Sequence, residues 1–257
     1  MRGKTTDEKD ARGGPRDGSG CSGGQADATI YYAQAPSALG TMLLRVQGAC
    51  LTGLFFTDQK DCPPLDGLPP PRPDSLDPAS GLREGKPIRK LRARKADPFS
   101  GDLFADLAPA KARQLRGVLA DGADAAPPRL MQADTPDEAA AVLNESCRQL
   151  REYLAGRRHA FDVPLSLRGT DFQRRVWQAL LQIPYGEAVS YGDVARAVGL
   201  SAAHGRPVGG AVGRNPIAVI VPCHRVLSGT QALTGYTGGL ERKYALLELE
   251  GFALGGA

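Results

Sequence analysis

Residues 190–213 read SYGDVARAVGLSAAHGRPVGGAVG, and this stretch sets the architecture of the second half of the chain. Ser190-Tyr191-Gly192-Asp193 has the spacing of a capping box, a hydroxyl acceptor followed three residues later by an acid, and so predicts a helix start. That helix is short, running to Val198, because Gly199-Leu200-Ser201 follows as a turn. A small-residue helix from about Ala202 to Gly213 comes next. Two short helices joined by a tight glycine-containing turn predict helix-turn-helix geometry.

Upstream, Thr170-Asp171-Phe172-Gln173 is a second box, leading into Phe172, Val176, Leu180 and Ile183 before the breaker Pro184-Tyr185-Gly186. Trp177 is predicted to pack into the core. Thr135-Pro136-Asp137-Glu138 reads as a third box with proline at the first helical position, followed by Leu143, Cys147, Leu150 and Leu154 on one face and Gly156 as the stop. Downstream, Asn215-Pro216 closes the helix-turn-helix, and the apolar run Ile217 to Val221 reads as a buried strand leading into Pro222-Cys223-His224-Arg225. A last amphipathic helix carries Leu240, Tyr244, Leu247 and Gly251 in register.

The first half has a different texture. Ile30-Tyr31-Tyr32, Met42 to Val46 and Cys50 to Phe56 predict three strands joined by tight turns. Residues 1–28 hold almost nothing apolar and read as a disordered tail. Residues 61–132, with Pro69-Pro70-Pro71, the basic run Lys86, Arg89, Lys90, Arg92, Arg94 and Lys95, and one short helix at about Ala108 to Leu119, read as a solvated insertion or long linker. With 32 glycines and 20 prolines in 257 residues, the chain is not one compact fold from end to end. The expected division is a tail over 1–28, an N-terminal domain over 29–165 interrupted by the insertion, and a C-terminal domain over 166–257.

Composition excludes several classes. No apolar stretch is long enough for a membrane span, and the opening residues lack the apolar core of a secretory signal, so no membrane partner is expected. The 5 cysteines are scattered without a C-x-x-C pair, which fits neither a disulfide framework nor zinc-ligand spacing; Cys21, Cys50, Cys62 and His159 form no recognisable ligand set. No metal and no cofactor are predicted. A net charge of +4 is compatible with a nucleic-acid partner without establishing one.

Chemistry concentrates at Cys223 and the adjacent His224. A thiol is a strong nucleophile only as thiolate, which needs a nearby base or positive charge. On the dipeptide alone, a buried structural cysteine is the stronger reading, and on an extended segment neighbouring side chains point opposite ways, so His224 would need a turn or a relay to reach the thiol.

The wider block decides otherwise. Asn215-Pro216, Pro222-Cys223-His224-Arg225-Val226, Gly235-Tyr236-Thr237-Gly238-Gly239 and the helix carrying Lys243, Leu246, Leu247 and Glu250 resemble the active-site block of the O6-alkylguanine-DNA alkyltransferases. The likeness extends through Gly169 to Gln173, Val176-Trp177, Ile183 to Gly186, Ser190-Tyr191 and Arg206-Pro207-Val208-Gly209-Gly210. Less specifically it takes in Leu150 to Gly156, Phe161 to Leu165 and the strands at 29–60. It implies an α+β fold: a small N-terminal α/β, RNase H-like domain with antiparallel strands, and a mainly helical C-terminal domain with a helix-turn-helix.

The resemblance implies an irreversible, single-turnover transfer of a methyl or larger alkyl group from O6 of guanine in duplex DNA onto the protein's own Cys223, with O4-alkylthymine as a second candidate substrate. His224 would take the thiol proton through a water, with Glu250 orienting the histidine and Asn215 tying the helix-turn-helix to the acceptor segment. The second helix of that motif would enter the minor groove, with Ala203, Gly205 and Gly209 among the small residues admitting close approach. Arg206 would fill the space left by the extruded base. Tyr191 would press on the phosphate and help protonate the leaving guanine. Tyr236 would stack on the base, Thr237 would donate toward O6, and the backbone of Val226 would accept from the guanine amino group. Read without the family, Arg206 is a solvated helix charge, Tyr191 a core aromatic, and Tyr236 and Thr237 ordinary loop residues.

Two departures stand out. Pro207 replaces the family's usual alanine inside the recognition helix, which predicts a later helix start or a kink at Gly205-Arg206. Gln231 stands where a glycine is common. The expected protein is a monomer, cytoplasmic and nucleoid-associated in a bacterium or nuclear in a eukaryote. The competing readings are a lesion-binding alkyltransferase-like protein that does not repair, which the presence of Cys223 disfavours, and a cysteine hydrolase, which lacks oxyanion-hole glycines.

Overall fold

The computed structural model describes residues 29–64, 94–95, 128–229 and 235–252. The tail, the helix expected at Ala108 to Leu119 and Gln231 lie outside them. Strands β1 (Ile30–Ala35), β2 (Met42–Gln47) and β3 (Cys50–Phe56) form where they were expected. They pair antiparallel, with an irregularity between Arg45 and Val46. β4 (Arg94–Lys95) and β5 (Arg129–Leu130) are two-residue strands from within the segment read as a linker. β5 pairs with β1, giving the sheet order β3-β2-β1-β5. The linker reading is therefore corrected at both places: residues too few to show a period still complete a sheet when an edge offers unpaired backbone groups.

Helix α1 (Asp137–Leu154) packs across this sheet and buries Leu143, Cys147, Leu150 and Leu154, the face read from the sequence. Its expected capping box does not form. Pro136 occupies the cap position, and the Thr135 hydroxyl donates to the Gln132 carbonyl at 2.8 Å instead.

In the second half, α2 (Asp171–Leu180) and α3 (Tyr191–Ala197) both carry complete capping boxes, from Thr170–Gln173 and Ser190–Asp193. β6 (Glu187–Ser190) precedes α3 and pairs in parallel with β7 (Val226–Leu227) and antiparallel with β4. After α3 the chain turns at Gly199, whose φ of 82° lies in the left-handed region. A short 3₁₀ turn (Ala202–His204) leads into α4 (Gly205–Val212). The helix thus starts later than Ala202, and Pro207 falls in its first turn, where a missing N–H costs nothing. Trp177 is buried, as expected, and donates from Nε1 to the Ala211 carbonyl at 2.8 Å, fastening α2 to α4. The last helix, α5 (Leu240–Leu249), ends before Gly251.

The two halves meet along the free edge of β3. Leu51 exchanges backbone hydrogen bonds with Pro164 and Ser166, at 2.8 and 2.9 Å. Leu54 does the same with Pro216 and Ala218, at 2.9 and 3.0 Å. Otherwise exposed edge groups are thereby satisfied, and the segment leading to Cys223 is anchored to the sheet.

Candidate active site

The segment between Asn215 and Cys223 is not the strand that its apolar run suggested. Only Ile217 bridges to Leu54. Ile220 N then donates to the Ala218 carbonyl at 2.7 Å around Val219, whose φ is 67°. That is a γ-turn with a β-branched residue in the left-handed region, a strained arrangement costing about 1–3 kcal/mol. Cys223 N closes a second three-residue turn on the Val221 carbonyl at 2.8 Å, with Pro222 at its centre. Burial on all sides demands apolar residues whatever the backbone does, so composition could not separate this loop from a strand.

Asn215 holds the loop in shape. Its Oδ1 accepts from Ile217 N at 3.0 Å, and its Nδ2 donates to the Val221 carbonyl at 2.8 Å and to Cys223 Sγ at 3.0 Å. Cys223 is 8% exposed and opens a 3₁₀ turn, Cys223–Arg225. Cys223 and His224 thus do not lie on the extended segment that would point neighbouring side chains opposite ways. Burial pushes the Cys223 thiol up, against the Asn215 hydrogen bond and the Lys243 charge, which favour the thiolate.

Behind Cys223 lies a buried charged cluster. His224 Nε2 is 2.7 Å from Glu250 Oε1. Arg225 reaches the same carboxylate through Nε at 2.9 Å and Nη2 at 3.0 Å, and donates from Nη1 to the Ile183 carbonyl at 2.6 Å. Gly186 N donates to Oε2 at 3.1 Å, and the Tyr153 hydroxyl, from α1, donates to Oε1. Burial alone would raise the Glu250 pKa, but His224 and Arg225 outweigh it and bring the group down to about 2. His224 is lowered by burial, partly offset by Glu250, which keeps it neutral at pH 7. An ionised Glu250 places the imidazole proton on Nε2, leaving Nδ1 as the acceptor. Nδ1 is buried and has no hydrogen-bond partner among the described residues.

Lys243 is fully buried and donates to the Val226 carbonyl at 2.7 Å. Burial lowers its pKa to about 8, offset by attraction to Cys223. The Val226 carbonyl expected to meet a guanine amino group is therefore already engaged, with its second lone pair remaining.

The other expected residues lie around this centre. Tyr191, half-buried at the start of α3, packs against α4: ideal Cβ atoms at Gly205 and Gly209 would lie 3.7 Å from it, ordinary contact. Internal packing therefore does not require glycine at either position. Ala203 and Arg206 are exposed at the start of the α4 unit. The Tyr236 hydroxyl is buried and has no hydrogen-bond partner among the described residues, and Thr237 donates to the Gly213 carbonyl at 2.7 Å. Arg225 and Tyr153 had no role assigned from sequence. Arg225 was visible as part of the Pro-Cys-His-Arg run, whereas Tyr153 looked like one more residue on an apolar helix face.

Cys62, Cys147 and Cys223 carry free thiols among the described residues. Among the described residues no cluster of three His, Cys, Asp or Glu side chains could hold a metal ion, and no helix is long and apolar enough to cross a membrane.

An α+β fold, a helix-turn-helix and a buried thiol set against a His-Glu pair define a protein built around a cysteine beside a DNA-binding motif. Residues 171–252 match the family model described as 6-O-methylguanine DNA methyltransferase, DNA binding domain. The methylated-DNA–protein-cysteine methyltransferase of Mycobacterium bovis is 58% identical over 116 residues, 45% of this chain and 68% of that protein. The one from Methanosarcina acetivorans is 53% identical over 107 residues, 42% of this chain and 68% of that protein. A crystal structure of Mycobacterium tuberculosis OGT in complex with DNA superposes with a TM-score of 0.54 at 35% identity, covering 85% of this chain and 92% of that one. The chain belongs to the methylated-DNA–protein-cysteine methyltransferase family.

Proposed function

We propose that this protein repairs DNA by moving the alkyl group of O6-alkylguanine irreversibly onto Cys223. The observation that carries the reading is the Cys223 thiol, held by Asn215 and followed directly by a His224 whose far nitrogen is fixed by Glu250. The thiol proton leaves toward His224 Nδ1, through a water as in the family. The thiolate then attacks the alkyl carbon, the S–C bond forms as the C–O6 bond breaks, and the proton finishes on the guanine. The thioether has no good leaving group, so each molecule acts once.

The DNA duplex is held by the helix-turn-helix, with α4 in the minor groove. Glycine at 205 and 209, not needed for internal packing, favours close approach there. The lesion is extruded toward Cys223, with Arg206 in the vacated stack, Tyr191 at the phosphate, and Tyr236, Thr237 and the Val226 carbonyl around the base. The protein acts as a monomer in the cytoplasm, on the nucleoid. Its domains divide as 29–165, interrupted over 61–132, and 166–257, after a tail over 1–28.

Intact-protein mass after incubation with a duplex carrying one O6-methylguanine tests this. One stoichiometric gain of about 14 Da, absent from Cys223→Ala, is expected. Tight lesion binding with no gain would instead make the protein a sensor, and release of product without a mass change would make it a hydrolase.

A further inference from the structure

Arg242, in the first turn of α5, points away from the buried charged cluster toward the N-terminal sheet. Its guanidinium donates to three separate segments. Nε reaches the Leu39 carbonyl between β1 and β2 at 2.6 Å, Nη2 reaches Asp58 after β3 at 2.9 Å, and Nη1 reaches the Gly238 carbonyl at 2.8 Å. Its face lies 4.3 Å over the ring of Phe56, the last residue of β3, which is fully buried. Gly238 is held equally close to the same ring. A Cβ at Gly238 would stand 2.9 Å from Phe56 and 2.7 Å from the Tyr236 ring, closer than real atoms approach. Arg242, Phe56, Gly238 and Tyr236 therefore form one closely packed group joining the sheet to the loop 235–239.

We propose that Arg242 is a positioning residue for that loop, through which the N-terminal sheet sets where Tyr236 and Thr237 stand during alkyl transfer. The inference rests on the reading of this loop as the wall of the lesion pocket. A planar fork with several fixed donors suits such a role, because it holds Leu39, Gly238 and Asp58 at once while lying flat on an aromatic ring, which a lysine cannot do. Misplacement of a substrate-contacting group by about 1 Å costs up to about a hundredfold in rate.

The test compares Arg242→Ala, Arg242→Lys and Tyr236→Ala with the unmodified protein in single-turnover transfer from a saturating O6-methylguanine duplex. Affinity for undamaged duplex and labelling of Cys223 by iodoacetamide are measured alongside. Both Arg242 variants are expected to transfer at least about tenfold more slowly, with undamaged-duplex affinity within about twofold and unchanged iodoacetamide labelling. Should Arg242→Ala not fold, Arg242→Lys carries the same expectation. A full rate in Arg242→Lys would reduce the residue to a positive charge and overturn the inference. So would slow transfer accompanied by faster iodoacetamide labelling, the mark of a loosened structure. A full rate in Arg242→Ala beside slow Tyr236→Ala removes the Arg242 role and leaves the pocket reading standing. A full rate in Tyr236→Ala removes the pocket reading, and the inference with it.

Discussion

The N-terminal sheet with α1 and the acceptor unit after Asn215 are both well buried, yet they bury different things. Around the sheet the buried polar side chains are the uncharged Thr52, Gln59, Ser146 and Gln149. Among the described residues every buried His, Arg, Lys or Glu falls between His224 and Glu250. Burying charge costs free energy that even good pairing only partly returns, whereas apolar packing stabilises directly. The first region is built for stability and the second for chemistry. They are joined at the β3 edge, at Tyr153 and at Arg242.

The sharpest way to break this contrast is Glu250→Gln. It replaces the charged acceptor that fixes His224 with a neutral amide and leaves the Arg225 charge buried without its counter-ion, so transfer should fall roughly a hundredfold or more and stability by about 3–5 kcal/mol, read by single-turnover kinetics and denaturant unfolding. Replacing Arg225 and Glu250 together with Met and Leu should recover most of the stability and none of the rate. A double variant as unstable as the single one would show the cluster to be structural.

Leu44→Ala, in the sheet, should do the reverse: a loss of about 2–5 kcal/mol, with the transfer rate of the folded fraction unchanged. Tyr153→Phe should be milder, about 1 kcal/mol, and should displace the pH–rate profile, because it removes a hydrogen bond from the carboxylate that governs His224. An unchanged profile would confine Tyr153 to packing.

The two regions should also separate in acid. Glu250 titrates near about 2 when folded against an ordinary 4.5, so its contribution is complete above 4.5 and is lost as pH falls from there toward 2. His224 is lowered below 6.5 by burial, so it too binds protons more readily unfolded, and it opposes folding as pH drops. The signs agree. Acid unfolding followed by hydrogen exchange should open the acceptor unit before the sheet, and Glu250→Gln should flatten the dependence below 4.5. The same His224 shift predicts a transfer rate that holds through pH 6.5 and declines only below it.

Much of this was legible from residues. The strands at 30–56 followed from alternation and turns, and two capping boxes placed α2 and α3 to the residue. Thr135 misled because its hydroxyl had a local backbone carbonyl to satisfy, and a capping pattern cannot show that competition. The run 217–221 misled because a buried γ-turn and a buried strand require the same apolar residues. β4 and β5 were invisible, since two residues have no period.

By itself the sequence determined the strands at 30–56, most of the helices, the helix-turn-helix and the choice of Cys223 as the candidate acceptor, because periodicity, caps and a short specific motif are local properties. Only the tertiary structure decided that Tyr153 closes the Glu250 carboxylate across 97 positions of chain, and that Arg242 spans the sheet and the loop at 235–239. Those roles depend on directional hydrogen bonds between segments far apart in sequence, and the residues that make them look, locally, like any other tyrosine on an apolar face or arginine in a first helical turn.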